Sequence, residues 1–133
     1  MTMTLRQFEV YIYNRPGEVA RVAEALAKNA VNIRGISTDL GPSKPMIHVI
    51  TDDENSARRG LKGAGLEFTE REVLVIALPD RPGELAKVTK KLARAGINIE
   101  SLFILGSRVQ AEEVAIGVDR LEEAQELLSK YKA

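Results

Sequence analysis

The chain has 133 residues, and its 19 lysine and arginine side chains are balanced by 19 aspartate and glutamate side chains. This balance leaves no basic excess to attract nucleic acid or an anionic membrane. Cysteine is absent, which excludes a disulfide framework, a thiolate metal site and a cysteine nucleophile. No segment approaches about 18 consecutive apolar residues, and the opening residues lack the core of a signal peptide. We therefore expect a cytoplasmic protein with no membrane partner.

One stretch of sequence occurs twice. Residues 14–37 and 80–103 share ten identities at a constant offset of 66 residues. Agreement on that scale predicts a duplicated unit, with domains at residues 1–72 and 73–133. A unit of this size alone would bury only about 60% of its unfolded surface, so we expect the two copies to depend on each other.

The first copy begins with a strand and a helix. Phe8 and the alternating residues after it predict the strand, and Pro16 suits the first position of a helix. We expect the helix to begin at Pro16 and to end at Asn29, which tolerates the left-handed conformation. Its predicted buried face has helical spacing and consists of Val19, Val22, Ala23, Leu26, Ala27 and Ala30.

Two further strands, at residues 31–40 and 46–51, complete the middle of the first copy. Asp52 and Asp53 then start a short helix, in which Gly60 and Gly63 each cost about 1 kcal/mol relative to alanine.

A fourth strand, at residues 66–72, leads without a hinge into the strand at residues 73–78, which opens the second copy. That strand is apolar at both parities, which predicts burial on both faces of a sheet. A second subunit on the open face would explain this pattern, so we expect a homo-oligomer, either a dimer or a tetramer.

The second copy repeats the order, with a helix from Pro82 to the stop at Gly96 and a last helix capped by Asp119. No fourth strand follows. The predicted fold is α+β, with two tandem ferredoxin-like βαββαβ units, the second of which lacks its last strand.

The sequence D-R-P-G-x-L, from Asp80 to Leu85, is followed after an amphipathic helix by G-I-N-I, which ends at Ile99. Asn14 to Val19 and Asn32 with Ile33 match the same pattern more loosely. In this combination the chain resembles the ACT domains, regulatory modules of amino-acid metabolism. The resemblance covers both copies. It implies side-by-side pairing of two units and amino-acid binding at the interface between them.

The residues themselves support such a site. A helix N-terminus carries unpaired amides and about half a positive charge, which suits a carboxylate, and a glycine there lets a ligand approach the backbone. An acidic side chain beside it could receive an ammonium group, and an amino acid carries both charges. The predicted ligand-binding residues are Asn14, Pro16, Gly17, Glu18, Val19, Asn32, Ile33, Asp80, Pro82, Gly83, Glu84, Leu85, Asn98 and Ile99.

A structural interpretation of these residues stands beside the functional one. Asn14 and Asp80 could only satisfy helix amides, Glu18 and Glu84 could only complement the helix dipole, and the glycines could only make the turn. The presence of the set in both copies favours a ligand site.

Other arrangements of reactive residues do not indicate an enzyme. His48 is the only histidine, so a metal site or a serine hydrolase lacks its partners. We predict no catalytic residue, no metal and no cofactor. The leading hypothesis is a stand-alone regulatory protein that binds a small amino acid and acts on an enzyme of amino-acid metabolism. The alternatives are a protein-interaction module with no ligand and, more weakly, an RNA reader, which the few aromatic residues disfavour.

Overall fold

The computed structural model describes residues 3–41, 43–108 and 111–131. Contacts divide the chain into two compact units. The N-terminal unit is Arg6–Arg71, and the C-terminal unit combines the chain from Glu72 onward with its beginning up to Leu5. Both units contain helices and an antiparallel sheet, which confirms the predicted α+β class.

The N-terminal unit has the predicted order of strand, helix, strand, strand, helix and strand. Strand β3 pairs antiparallel with β1 and β2, and β1 also neighbours β4, so the strand order is β2-β3-β1-β4. The elements are β1 (Met3–Tyr11), α1 (Glu18–Ala27), β2 (Ile33–Asp39), β3 (Met46–Thr51), α2 (Glu54–Gly63) and the first residues of β4 (Phe68–Pro79).

The C-terminal unit repeats this order as far as its second helix. Strand β6 pairs antiparallel with β4 and β5. After β4 come α3 (Glu84–Arg94), β5 (Ile99–Arg108), β6 (Ala111–Val118), α4 (Leu121–Leu127) and a 3-10 turn at Ser129–Tyr131.

The beginning of the chain closes the C-terminal unit. No strand follows α4 in the described residues, as predicted. Residues 3–5 of β1 belong to this unit and β1 neighbours β4, where the Thr4 hydroxyl lies 3.3 Å from the Glu72 carboxylate to which it donates. They therefore occupy the edge at which a fourth strand would lie.

The two strands predicted at residues 66–72 and 73–78 are one continuous strand, β4. The segment contains neither glycine nor proline before Pro79, so nothing in it interrupts an extended backbone. The duplication therefore leaves no break in structure where the second copy begins.

Each unit has its own core on the helical side of its sheet, and many core positions correspond at the offset of 66. Phe8 and Leu74, Val22 and Val88, and Leu26 and Leu92 are such pairs, all of them fully buried. The N-terminal core contains Phe8, Val10, Val22, Ala25, Leu26, Val31, Ile47, Val49, Ala57, Leu61 and Leu66. The C-terminal core contains Leu74, Ile76, Leu78, Val88, Leu92, Ile97, Val114, Ile116, Val118, Ala124 and Leu128.

The predicted buried face of α1 is partly wrong. Val19 is 46% exposed, and Ala27 and Ala30 are exposed, whereas Ala25, predicted outside the face, is buried. The backbone turns left-handed at Ala30, with φ of 56°, rather than at Asn29. The side-chain amide of Asn29 donates to the Ala25 carbonyl at 3.2 Å.

Strand β4 is buried on both faces, as predicted. Val73 and Val75 on one face and Leu74 and Ile76 on the other are all fully buried within the single chain. Their burial therefore does not require a second subunit. The homo-oligomer remains a prediction, but the burial of β4 is not evidence for it.

Candidate functional site

The predicted binding residues lie mainly in two equivalent loops. Residues 12–17 join β1 to α1, and residues 80–83 join β4 to α3. Six of the predicted binding residues lie in these loops and are exposed: Asn14, Pro16, Gly17, Asp80, Pro82 and Gly83.

A glycine in the left-handed conformation ends each loop. Gly17 has φ of 90° and Gly83 has φ of 87°, and each is the N-cap of its helix. Because that conformation is not helical, α1 begins at Glu18 rather than at Pro16, and α3 at Glu84 rather than at Pro82. The predicted helix starts are therefore two residues too early.

The reason for glycine differs from the one that the sequence suggests. A Cβ atom at Gly17 or Gly83 would meet nothing within 4 Å. Glycine is needed for its positive φ, since other residues adopt it only with strain. The open space leaves the first turn of each helix accessible, and glycine has no side chain to accept hydrogen bonds from the amides there.

Glu18 is held inside the first loop. Its side chain is buried, and its Oε1 accepts the backbone amide of Tyr13 at 2.9 Å. The Arg15 guanidinium lies 3.6 Å from Oε2. The Tyr13 amide, followed by the charges of Arg15 and Arg21, holds the pKa of Glu18 below its ordinary value.

Glu84 has the same place in the second loop but different partners. Pro79 stands where the first copy has Tyr13, and it has no amide to donate. Instead, the Glu84 Oε2 accepts Arg81 Nε at 2.7 Å and Lys87 Nζ at 3.3 Å. Arg81 in the first place and then Lys87 lower the pKa of Glu84.

These contacts change the roles assigned to the acidic residues. Glu18 and Glu84 are already paired, so a ligand ammonium would have to displace an arginine from either of them. Asp80, exposed beside the second loop, is the better acceptor, and Asn14 is its neutral counterpart in the first loop. Neither Asn14 nor Asp80 is the helix N-cap, because the glycines take that position.

The two predicted asparagines hold the start of β2 and of β5. The backbone N–H of Asn32 donates to Asp52 Oδ1 at 3.2 Å, and the backbone N–H of Asn98 donates to Asp119 Oδ1 at 3.0 Å. Asp119 therefore fixes the strand, and Arg120 takes the N-cap of α4 that was predicted for Asp119. No hydrogen bond joins either asparagine to the glycine loops among the described residues.

The apolar members of the predicted set are divided between core and surface. Ile33 packs partly on the N-terminal core, and Leu85 and Ile99 pack partly on the C-terminal core. Val19, by contrast, is exposed beside the first loop. An apolar ligand group or a neighbouring protein surface could contact Val19 without disturbing the core.

A cavity of about 360 Å³ adjoins the first loop, and sequence reasoning did not find it. Two basic residues, Arg21 and Lys44, and the acidic Glu67 are among the residues that line it. Lys44 Nζ lies 3.9 Å from the centre of the Tyr11 ring, a cation–π contact. The feature of the sequence that could have indicated this cavity is the pair Tyr11 and Tyr13, at the end of β1 and just after it. The lining residues are Tyr11, Ile12, Tyr13, Arg21, Lys44, Pro45, Gly65, Leu66 and Glu67.

Two other kinds of site were sought. Across residues 3–41, 43–108 and 111–131, no group of three or more histidine, cysteine, aspartate or glutamate side chains is arranged to hold a metal ion. None of the helices in that part of the chain is long and apolar enough to cross a membrane.

The repeated βαββα order and the glycine loop define a class of small α+β modules, and comparison with known proteins identifies the class. Residues 73–130 match the family model of the ACT domain. This match covers the C-terminal part of the chain and confirms the resemblance seen in the sequence there, and the N-terminal unit repeats the same elements and the same loop. No curated protein matches the sequence.

Solved structures share the fold over nearly the whole chain. Protein BT0572 from Bacteroides thetaiotaomicron is 25% identical, with a TM-score of 0.87 over 96% of this chain and 88% of that one. The regulatory subunit of aspartate kinase from Thermus thermophilus, in a ligand-free form, is 21% identical, with a TM-score of 0.66 over 96% and 91% of the two chains. The corresponding subunit from Thermus flavus is 22% identical, with a TM-score of 0.66 over 97% and 90%.

Proposed function

We propose that this chain is a non-catalytic regulatory protein that binds a small amino acid at its glycine loops. The observation that carries the proposal is the duplication of one geometry. Gly17 and Gly83 have nearly the same φ and ψ, each opens a helix, and each is followed by a buried, paired glutamate. The ligand carboxylate binds the amides of the first helical turn, where the helix dipole favours negative charge.

The second loop is the stronger of the two proposed sites. Asp80 carries a charge that receives the ligand ammonium, whereas Asn14 offers only a neutral carbonyl. Arg81 is engaged with Glu84 at 2.7 Å, so it does not compete strongly for Asp80. The remaining proposed contacts, from Asn32 and Ile33 or from Asn98 and Ile99, come from another ACT unit that adjoins the loop.

The proposed assembly is a homo-oligomer formed through an edge strand. Strand β2 lies at one edge of the N-terminal sheet and β5 at one edge of the C-terminal sheet. Four apolar side chains at these edges are exposed: Ile36 on β2, Leu40 just after it, and Leu102 and Ile104 on β5. An exposed edge with apolar side chains is a surface on which another strand can pair.

The regulated protein is proposed to be an enzyme of amino-acid metabolism on a separate chain. The regulatory subunits of aspartate kinase that share this fold support a role of this kind. The ligand acts by binding one state of the assembly more tightly than another, since a ligand shifts an equilibrium only through such a difference.

Thermal unfolding against the twenty amino acids at millimolar concentration tests the proposal. A ligand at 100 times its Kd adds about 2.7 kcal/mol to the free energy of unfolding, which raises Tm by several degrees. The proposal fails if no amino acid raises Tm and calorimetry detects no heat of binding.

Asn14 and Asp80 are equivalent in the two copies, and exchanging these two residues gives a matched pair of variants. Asp80→Asn should weaken binding, and Asn14→Asp should strengthen it at the first loop, because only the charge changes at an exposed position. If both variants bind as the wild type does, the ammonium is received elsewhere. A glycine variant is a poorer test, since any side chain at Gly83 also strains the positive φ.

A further inference from the structure

A second cavity, at the end of the C-terminal unit, is lined almost entirely by cations. Its volume is about 370 Å³, and it lies between α3 and the turn after α4. Within residues 3–41, 43–108 and 111–131, no residue that lines it carries a carboxylate. The lining residues are Lys87, Lys90, Lys91, Arg94, Lys130 and Tyr131, and we call this set the basic cavity.

The α3 residues of the basic cavity share one face of the helix. Lys87, Lys90, Lys91 and Arg94 follow the spacing i, i+3, i+4 and i+7, which brings side chains together on a helix. Lys130 comes to the same place from the turn after α4. Its Nζ lies 5.2 Å from the centre of the Tyr131 ring, and the Nζ of Lys91 lies 5.7 Å from the same point.

Two of these ammonium groups are close to each other. Lys91 is only half exposed, and the neighbouring Lys130, followed by burial, lowers the pKa of Lys91. Like charges in contact destabilise each other, and an anion between them removes the repulsion. Lys87 differs, because Glu84 already pairs with it at 3.3 Å.

The N-terminal unit provides an internal comparison. The equivalent cavity, about 320 Å³ in volume, is lined by Arg21, Glu24, Ala25, Lys28, Asn29, Gly60, Gly63 and Ala64. At the offset of 66, Glu24 corresponds to Lys90 and Ala25 to Lys91. After the second strand the offset is 67, since Asn32 donates to Asp52 as Asn98 does to Asp119, so Gly63 corresponds to Lys130. Three lysines of the basic cavity thus stand where the other copy has a glutamate, an alanine and a glycine.

Stabilisation of the helix does not account for this difference. Basic residues near the C-terminus of a helix complement its dipole, which explains Lys91 and Arg94 in the last turn of α3. It does not explain Lys90, nor Lys130, which lies outside α3. The clustering of cations is therefore a property of the cavity as well as of the helix.

We propose that the basic cavity binds a small molecule that carries a multivalent phosphate group. Arg94 offers a planar guanidinium suited to two phosphate oxygens, and the lysines supply point charges around it. The concave shape and the net charge of zero for the whole chain favour a small molecule over nucleic acid, which needs an extended basic surface. This site is separate from the glycine loops, so it stands or falls independently of amino-acid binding.

Pyrophosphate is the probe for the first experiment. Its effect on Tm is compared with those of inorganic phosphate, sulfate and chloride. All four are used at the same ionic strength, so that the screening of protein charges is the same in each sample. We expect pyrophosphate to raise Tm by several degrees more than chloride does. Equal effects of pyrophosphate and chloride would overturn the proposal.

The matched variant gives two positions of the basic cavity the residues of the other copy and removes the charge at the third: Lys90→Glu, Lys91→Ala and Lys130→Ala together. Loss of a hydrogen bond to a charged group lowers affinity about tenfold or more, so this triple variant should lose the pyrophosphate response altogether. Lys28→Gln, in the equivalent cavity, is the control and should keep it. A triple variant that responds as the wild type does would overturn the proposal.

A folding control accompanies the triple variant. Without an anion it should be at least as stable as the wild type, because the repulsion between Lys91 and Lys130 is gone. If it does not fold, the single variant Lys130→Ala, at an exposed position, should lower pyrophosphate affinity about tenfold. Binding of a DNA or RNA oligonucleotide through these lysines, without binding of pyrophosphate, would show that the small-molecule proposal is wrong.

Discussion

Ala30 and Gly96 occupy the same position in the two units, and both have the left-handed backbone conformation. Their φ angles are 56° and 72°. The chain turns there from the first helix of each unit into the following strand. Glycine takes this conformation freely, whereas alanine takes it at a cost of about 1 to 2 kcal/mol. The N-terminal unit therefore contains a local strain that its duplicate lacks.

Replacement of Ala30 by glycine should relieve this strain. We expect Ala30→Gly to raise the free energy of unfolding by about 1 kcal/mol, measured by urea unfolding, since the relief exceeds the added entropy of the unfolded chain. The reverse change, Gly96→Ala, should be destabilising, because it introduces the strain and places a Cβ 3.2 Å from Arg120 Nη2. Equal stability of Ala30→Gly and the wild type would contradict this account.

The two glycines of α2 should respond oppositely to alanine. A Cβ at Gly60 would lie 2.8 Å from the Ala25 carbonyl oxygen on α1, whereas a Cβ at Gly63 would meet nothing within 4 Å. Gly60→Ala should therefore lower the free energy of unfolding by about 1 to 3 kcal/mol. Gly63→Ala should raise it by up to about 1 kcal/mol through helix propensity. Thermal unfolding of the two variants side by side tests both, and a stabilised Gly60→Ala would rule out close packing of α1 on α2.

Gly60 also shows what sequence reasoning could and could not supply. Propensity treats Gly60 and Gly63 alike, as two weak positions in a short helix. Only the packed structure separates them, since the close approach of Ala25 depends on how two helices meet. The same limit applies to Val19: helical spacing placed it inward, but the buried residue of the first turn is Glu18.

The order of elements could be predicted because it follows from local patterns repeated in two copies. The assignment of residues 3–5 to the C-terminal unit could not be predicted. Residues 3–5 lie far in sequence from Glu72, and no local signal assigns them to the C-terminal unit. For the candidate site, the loops were found from sequence, but the pairing of Glu84 with Arg81 depends on side-chain geometry.

The different anchoring of the two loop glutamates predicts a difference in their response to substitution. Glu84→Gln leaves Arg81 and Lys87 without their shared carboxylate, whereas Glu18→Gln still offers an oxygen to the Tyr13 amide. We expect Glu84→Gln to lower Tm at pH 7 more than Glu18→Gln does. Equal losses of Tm would show that the charge of Glu84 adds nothing to the hydrogen bond.

Acid unfolding gives the second measurement on these groups. The folded pKa of Glu84 is lowered from its ordinary value of 4.5, so its contribution to stability is present above that pH. It is lost as the pH falls through the folded pKa. The gap in Tm between the wild type and Glu84→Gln should therefore close on acidification below about pH 4.5. A gap that stays constant down to pH 2 would mean that ionisation of Glu84 is not linked to folding.

The pair of Arg58 and Glu70 should hold α2 onto β4. Arg58 Nε and Nη2 donate to the two Glu70 oxygens at 2.7 and 2.6 Å, a two-pronged contact that lysine cannot reproduce. Arg58→Lys should therefore lower Tm although the charge is kept. Arg59→Lys is the matched control, because Arg59 is exposed and its Nη2 donates to the Ser56 hydroxyl without a fork. If the two variants have the same Tm, the fork geometry does not contribute to stability.

The edge strands provide the test of the proposed homo-oligomer. Ile104 on β5 is 57% exposed and Ile36 on β2 is 42% exposed, so a lysine at either position should be tolerated by the folded unit. Burial of one such side chain in an interface contributes about 1.5 to 3 kcal/mol, so a lysine there should weaken association about tenfold or more. Light scattering at micromolar concentration should then show dissociation for the variant whose edge forms the interface. Ala27→Lys, on the exposed side of α1, should leave the assembly intact. A wild-type chain that is monomeric under these conditions would remove the proposed assembly, and an oligomer unaffected by both edge variants would place its interface elsewhere.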